Sequence, residues 1–222
     1  CPNLPVKGGA MFISLGFSCQ TRFMIDALIP EQKRQPFDFN ITSRAALIRA
    51  LATDGESLAH GADEALPYRM PGDFREGIGV AGMYFWHDYP LGDDRLSLHA
   101  DWRDKVAEVN AKYAYLWRRF SEVIRSGDEK TFVLCNTQKN LTEFADDEAD
   151  FAEKFGLGRQ AFDEIAAALD GYGAKNYRLK FISRSKDEVA ETSGIAGDRL
   201  DHRFAGPLRL RPDPEIVADL FG

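Results

Sequence analysis

The sequence is sparing with cysteine and histidine, has no long apolar run and has no cluster of basic residues. Its three cysteines, Cys1, Cys19 and Cys135, fit neither a disulfide framework nor a zinc pattern, and CxxC, HxH and HExxH are all missing. No metal and no other cofactor is therefore expected, and a reduced, cytoplasmic setting is the simplest match to so few cysteines. Nothing approaches the roughly eighteen uncharged apolar residues of a bilayer span, so a membrane is not an expected partner. The opening CPNLPVKGGAMF lacks the apolar heart of a signal peptide, and Met11 reads as a native start behind a leader or added residues 1–10. The longest basic run is Arg118-Arg119, in a chain of formal net charge −7. Binding along a phosphate backbone rests on basic patches, so nucleic acid is not an expected partner either. There is no Gly-rich phosphate loop: GIGVAG (77–82) has glycines near the right spacing but precedes a strand-like stretch and opens no helix.

What is present is enough for one domain with a sizeable core. The chain has 222 residues, 44% of them apolar, and sixteen Phe make that core aromatic-rich. Short apolar runs bounded by turn residues predict strands at MFISL (11–15), GMYFWHDYP (82–90), TFVLCN (131–136), YRLKFIS (177–183) and DRLDHRF (198–204). Helical spacing predicts helices from Cys19 to Pro30, over 44–52, from Asp101 to about Arg125, over GRQAFDEIAAALDGYG, and over 212–221. Along the long helix, Val106, Val109, Tyr113, Leu116, Trp117, Phe120 and Ile124 trace one stripe. The acidic stretch with Glu143, Asp146, Asp147, Glu148, Asp150 and Glu153 reads as a solvated helix face or loop. Strands alternating with helices favour an α/β fold: a mostly parallel sheet with helices on both faces, running as a single domain over 11–222. The Gly-, Asp- and Pro-rich stretch 53–82 reads as an irregular, loop-rich insertion.

Working groups in such sheets gather at the carboxyl ends of strands. Three polar loops follow candidate strand ends: Gly16–Cys19, His87–Asp88 and Asn136–Asn140. In the first, Gly16 allows a tight turn and Ser18 is a candidate helix cap, which leaves Cys19 at the first helical position. A helix N-terminus stabilises a thiolate, and the backbone N–H groups from Gly16 to Cys19 suit a substrate oxyanion. Cys19 is thus either a nucleophile or a small buried hydrophobe. His87 is the candidate base, or else a ring packed between Trp86 and Tyr89. His202 is a reserve base, while His60 and His99 are weaker. Asp38, between Phe37 and Phe39, is a candidate to orient a histidine, or a turn aspartate. Asn136 orients a histidine, binds substrate or closes a strand-end turn, and Cys135 reads as core. Trp86, with Tyr84, Tyr89 and Trp102, would line a pocket in a binding protein.

Three segments carry a family resemblance: Ser14-Leu15-Gly16-Phe17-Ser18-Cys19, then Pro36-Phe37-Asp38-Phe39, then His87-Asp88-Tyr89, followed by a helix with an Arg pair and the strand TFVLCN. In this order they resemble a largely uncharacterised bacterial family labelled papain-like cysteine peptidases, over roughly residues 11–140. The resemblance implies Cys19 as nucleophile and His87 as base, with Asp38 or Asp88 as orienter. It also implies an α+β papain-like alternative, with the cysteine on a helix and the histidine on an antiparallel sheet. Neighbours on a strand face opposite ways, so Asp38 is the better orienter.

Two functional expectations follow. One is a cysteine-dependent hydrolase or acyltransferase, peptidase-like, acting on a small-molecule, peptide or glycan-linked substrate through Cys19, His87 and Asp38. Gly16, Ser18, Asp88, Trp86 and Asn136 would then contact the substrate. The other is a non-catalytic module that binds a glycan or a nucleotide-sugar. No sequence feature specifies an oligomeric state.

Overall fold

A computed structural model describes residues 11–30, 32–69 and 75–222. Residues 1–10, including the expected leader, lie outside the described residues. Four strands form a wholly parallel sheet: β1 (Met11–Ser14), β6 (Lys130–Cys135), β7 (Tyr177–Ser183) and β8 (Leu200–Phe204), in the order β1-β6-β7-β8. The α/β architecture read from the sequence is the one present. Alternation along the strands turns Phe12, Val133, Cys135 and Ile182 to one face and Ile13, Phe132, Leu134, Leu179 and Phe181 to the other. Both faces are covered, as parallel sheets require. Helices α1 (Cys19–Leu28) and α7 (Pro214–Phe221) cap the first face with Met24, Ile25, Val217 and Leu220. The second face joins the main core, where α3 (Val106–Arg125) brings Phe120 and Ile124 and α5 (Arg159–Tyr172) brings Ile165 and Leu169. The buried stripe of α3 is the one its spacing predicts.

The stretch expected to be irregular instead builds half of a second sheet. Strands β2 (Asn40–Thr42), β3 (Leu66–Arg69), β4 (Glu76–Val80) and β5 (Met83–Phe85) pair antiparallel in the order β2-β5-β4-β3. Its glycines disguise it. A Cβ on Gly77 would come within 2.8 Å of the Trp86 ring, so the glycine makes room for an indole lying on the strand. Ala81 (φ 49°) and Gly82 (φ 84°) make the tight hairpin between β4 and β5, where positive φ at both positions matches the twist of the strands. The strand expected over 82–90 is correspondingly short, and His87 to Pro90 lie beyond its end. Helix α2 (Arg44–Ala52) leads from this sheet and packs on α5. The acidic stretch folds as α4 (Glu148–Phe155), capped by the Asp147 side chain on the Asp150 N–H. A short helix, α6 (Lys186–Glu191), joins β7 to β8.

Candidate functional site

All four parallel strands end at one edge, and short polar bonds tie their exits together. Strand β1 leaves through Gly16, whose φ of +106° suits a residue without a side chain. The Gly16 carbonyl accepts the Thr21 hydroxyl at 2.7 Å. Ser18 caps α1, its Oγ accepting the Gln20 N–H at 3.3 Å, so Cys19 is the first helical residue, as its sequence position predicts. Gln20 is completely buried and reaches across to the other exits. Its Nε2 donates to the Arg209 carbonyl at 2.8 Å and the Leu208 carbonyl at 3.4 Å. Its Oε1 accepts Thr137 Oγ1 at 2.8 Å and Cys135 Sγ at 3.2 Å. The Leu208 N–H in turn donates to the Thr137 carbonyl at 2.8 Å.

Between these exits lies a cleft of about 590 Å³, lined by residues 138–140, 142–143, Arg184 and residues 207–210. Its walls are the loops that follow β6, β7 and β8, and they bring three cations, Lys139, Arg184 and Arg209, together with one acid, Glu143. Arg209 pairs with Asp213. The Arg184 guanidinium lies 5.0 Å from the Phe151 ring centroid, and neither it nor Lys139 has an acidic partner among the described residues. Gln138 is 6% exposed; its amide donates to Asn140, while its Oε1 has no protein partner among the described residues. The Gln138 Oε1 is an acceptor open to a donor at the cleft wall, a water or a ligand hydroxyl. A larger cavity of about 1070 Å³ lies between α2 and α5. Arg44 there is already held by Glu164 at 3.0 Å and by the Gly156 carbonyl at 3.2 Å.

The expected triad is not joined by hydrogen bonds. Cys19 is half-buried, and burial pushes its thiol up to about 11, against the smaller pull of its own backbone N–H and of Arg211. No imidazole bonds its sulfur among the described residues. His87 stands two residues past the end of β5, with its ring centroid 6.3 Å from that of Phe39. Phe39 lies 6.1 Å from Phe23, one turn along α1 from Cys19, so a short ladder of rings separates the thiol helix from the imidazole. Desolvation lowers the pKa of His87, and Arg75 lowers it further, with Asp88 opposing.

Asp38 does not orient His87. Its Oδ2 accepts Arg22 Nη1 at 3.0 Å and the Gln35 N–H at 2.7 Å, because the PFDF turn folds the carboxylate inward against α1. It is 1% exposed, and burial raises its pKa to about 6 despite both donors. A carboxyl raised above its unfolded value of about 4 binds its proton more tightly in the native state. Native stability should therefore gain as pH falls from about 7 toward 4. An Asp38→Asn variant should lack that gain, which urea melts at pH 7 and pH 5 would read out.

The other named residues each have contacts of their own. Asp88 accepts Tyr113 OH at 3.0 Å and pairs with Lys112. Trp86 is 7% exposed, packed near Tyr68 and Phe144, with its indole N–H unpaired among the described residues. Asn136 braces the carboxyl edge: its Nδ2 donates to the Phe155 carbonyl and to Glu188, each at 3.0 Å, and its Oδ1 accepts the Arg184 N–H at 2.9 Å. His60 is buried against Tyr89, and His202 Nδ1 bonds Thr192 Oγ1 at 2.7 Å. His99 is exposed beside Asp101. Among the described residues, no group of His, Cys, Asp or Glu is placed to hold a metal ion, and no helix is long and apolar enough to cross a membrane.

Sequence reasoning named the loop 136–140 but not Gln138, Lys139, Arg184 or Arg209 within and beside it. The available signal was position: Arg184 directly follows the strand YRLKFIS, and Lys139 lies three residues past TFVLCN. Compared with known proteins, the chain matches no family model, no curated protein and no solved structure.

Proposed function

We propose that the protein binds a small anionic ligand, carrying phosphate or carboxylate groups, in the cleft at the carboxyl edge of the parallel sheet. The observation that carries this reading is the meeting of Lys139, Arg184 and Arg209 on three loops that each follow a parallel strand. Ligands of α/β sheets bind outside the carboxyl ends of strands, and guanidinium groups suit planar, multi-oxygen anions. Calorimetric titration of the full chain with pyrophosphate tests it. Arg184→Ala and Lys139→Ala should each weaken binding about tenfold, the loss expected for a charged hydrogen-bonding partner. Affinity unchanged in both variants, or no binding to the unaltered chain, would refute the proposal.

A second reading, thiol chemistry at Cys19, is favoured by one feature. Cys19 opens a helix while His87 leaves an antiparallel sheet, the pair of elements that the family resemblance implies. The two readings differ in thiol reactivity. With the thiol raised to about 11, Cys19 should react with iodoacetamide at pH 7 about a hundredfold more slowly than free cysteine. Reaction as fast as free cysteine, lost in Cys19→Ser, would favour the catalytic reading instead.

A further inference from the structure

The cationic segment does not end at Arg209. Two residues on, the exposed Arg211 holds its guanidinium 4.4 Å from the centroid of Phe23. The Phe23 ring meets the Phe39 ring at 6.1 Å, and the exposed Arg34 lies 5.0 Å from the Phe39 centroid. Two arginine–phenylalanine pairs thus stand side by side, and Arg211 directly follows Leu210, which lines the cleft. Both rings are half-buried, and neither arginine has an acidic partner among the described residues. Leu210, between the two arginines of that segment, is 42% exposed and lines the cleft. In a chain of net charge −7, a cation without an acidic partner among the described residues, next in sequence to the cleft-lining Leu210, adds attraction for an anion.

The two halves of this surface ask for different chemistry. Lys139 and Arg184, with the unpaired Gln138 amide oxygen between the strand exits, suit phosphate oxygens and a hydroxyl donor. A bare phosphate would leave the arginine–phenylalanine pairs unused. A guanidinium held over a ring offers its other face to a second planar group, and a nucleobase is the planar group that arrives joined to phosphates. We infer that the ligand is a nucleoside diphosphate, free or joined to a sugar, with its phosphates in the cleft and its base on Arg211 and Phe23. This rests on the anion-binding proposal and narrows it to a substrate class. It also sets the base beside Cys19, whose thiol feels the charge of Arg211.

The test uses the full chain and three probes in calorimetric titration: uridine diphosphate, adenosine diphosphate and pyrophosphate. At least one nucleoside diphosphate should bind about tenfold or more tightly than pyrophosphate, the gain expected from stacking one base. Arg211→Ala should remove that advantage, weakening nucleotide binding about tenfold more than it weakens pyrophosphate binding. Arg211→Lys keeps the charge without the plane and should also lose most of the advantage, which separates stacking from simple attraction. A thermal melt of each variant, matching that of the unaltered chain, guards against misfolding as the cause. Equal affinity for pyrophosphate and both nucleotides would overturn the inference and leave the anion site standing. Weakening of all three probes alike by Arg211→Ala would overturn it in the same way. Binding of none of the probes would overturn both.

Discussion

Replacing Lys130 by methionine should cost the fold about 4 kcal/mol, the loss expected when a buried charged donor is removed from several acceptors. Lys130 opens β6 with no exposed surface. Its ammonium donates to the carbonyls of Ser126 at 2.9 Å, Asp128 at 2.7 Å and Lys175 at 2.7 Å. The first of these closes the C-terminus of α3, where the helix dipole also favours a cation. The third belongs to the turn that leads into β7. One side chain therefore satisfies the backbone at the start of two adjacent strands. Burial lowers the ammonium pKa, with the Asp128 carboxylate opposing. Methionine fills similar space and recovers some apolar burial, yet leaves three carbonyls without it. Urea denaturation should show the loss as a lower midpoint with an unchanged slope. A midpoint within experimental error of the unaltered chain would mean that the three carbonyls find other donors.

Gln20→Leu should couple a loss of stability to a loss of binding. The side chain makes four hydrogen bonds, to Leu208, Arg209, Thr137 and Cys135, from a position with no exposure. Leucine is nearly the same size, so the change removes the bonds without opening a large cavity. Taking the Gln20 amide from the Leu208 and Arg209 carbonyls and from the Thr137 hydroxyl and Cys135 thiol should cost about 3 kcal/mol. The cleft should suffer as well, because Gln20 is what fastens the start of α1 to the segment that carries Arg209 and Arg211. Affinity for pyrophosphate should fall several-fold in a protein that still melts cooperatively. A lower melting temperature with unchanged affinity would show that the loops hold their places without this anchor.

Local patterns announced much of this molecule. Short apolar runs gave the parallel strands, the spacing of Val106 to Ile124 gave the buried stripe of α3, and Ser18 announced the cap that sets Cys19 at the helix start. These features depend on residues within a few positions of one another. The antiparallel sheet was hidden because β3 and β4 carry Pro67, Gly77 and Gly79, which read as loop when their packing partner, Trp86, is not in view. The partner of Asp38 was hidden for a similar reason. A carboxylate between two Phe rings must find a donor, but only the fold decides between Arg22 and His87, and the inward PFDF turn chose Arg22. The cationic cleft was the least legible, since Lys139, Arg184 and Arg209 lie far apart in sequence and meet only because three strands run parallel and end together.

The central claim is that this carboxyl edge is where the protein holds its ligand. Backbone amide chemical shifts, followed by NMR while the isotope-labelled chain is titrated with pyrophosphate, test it most directly. Saturable shifts should cluster at Gly16 to Gln20, Gln138 to Asn140, Arg184 and Leu208 to Arg211. Shifts confined to the cavity between α2 and α5, around Arg44 and Glu164, or no saturable shifts at all, would contradict it.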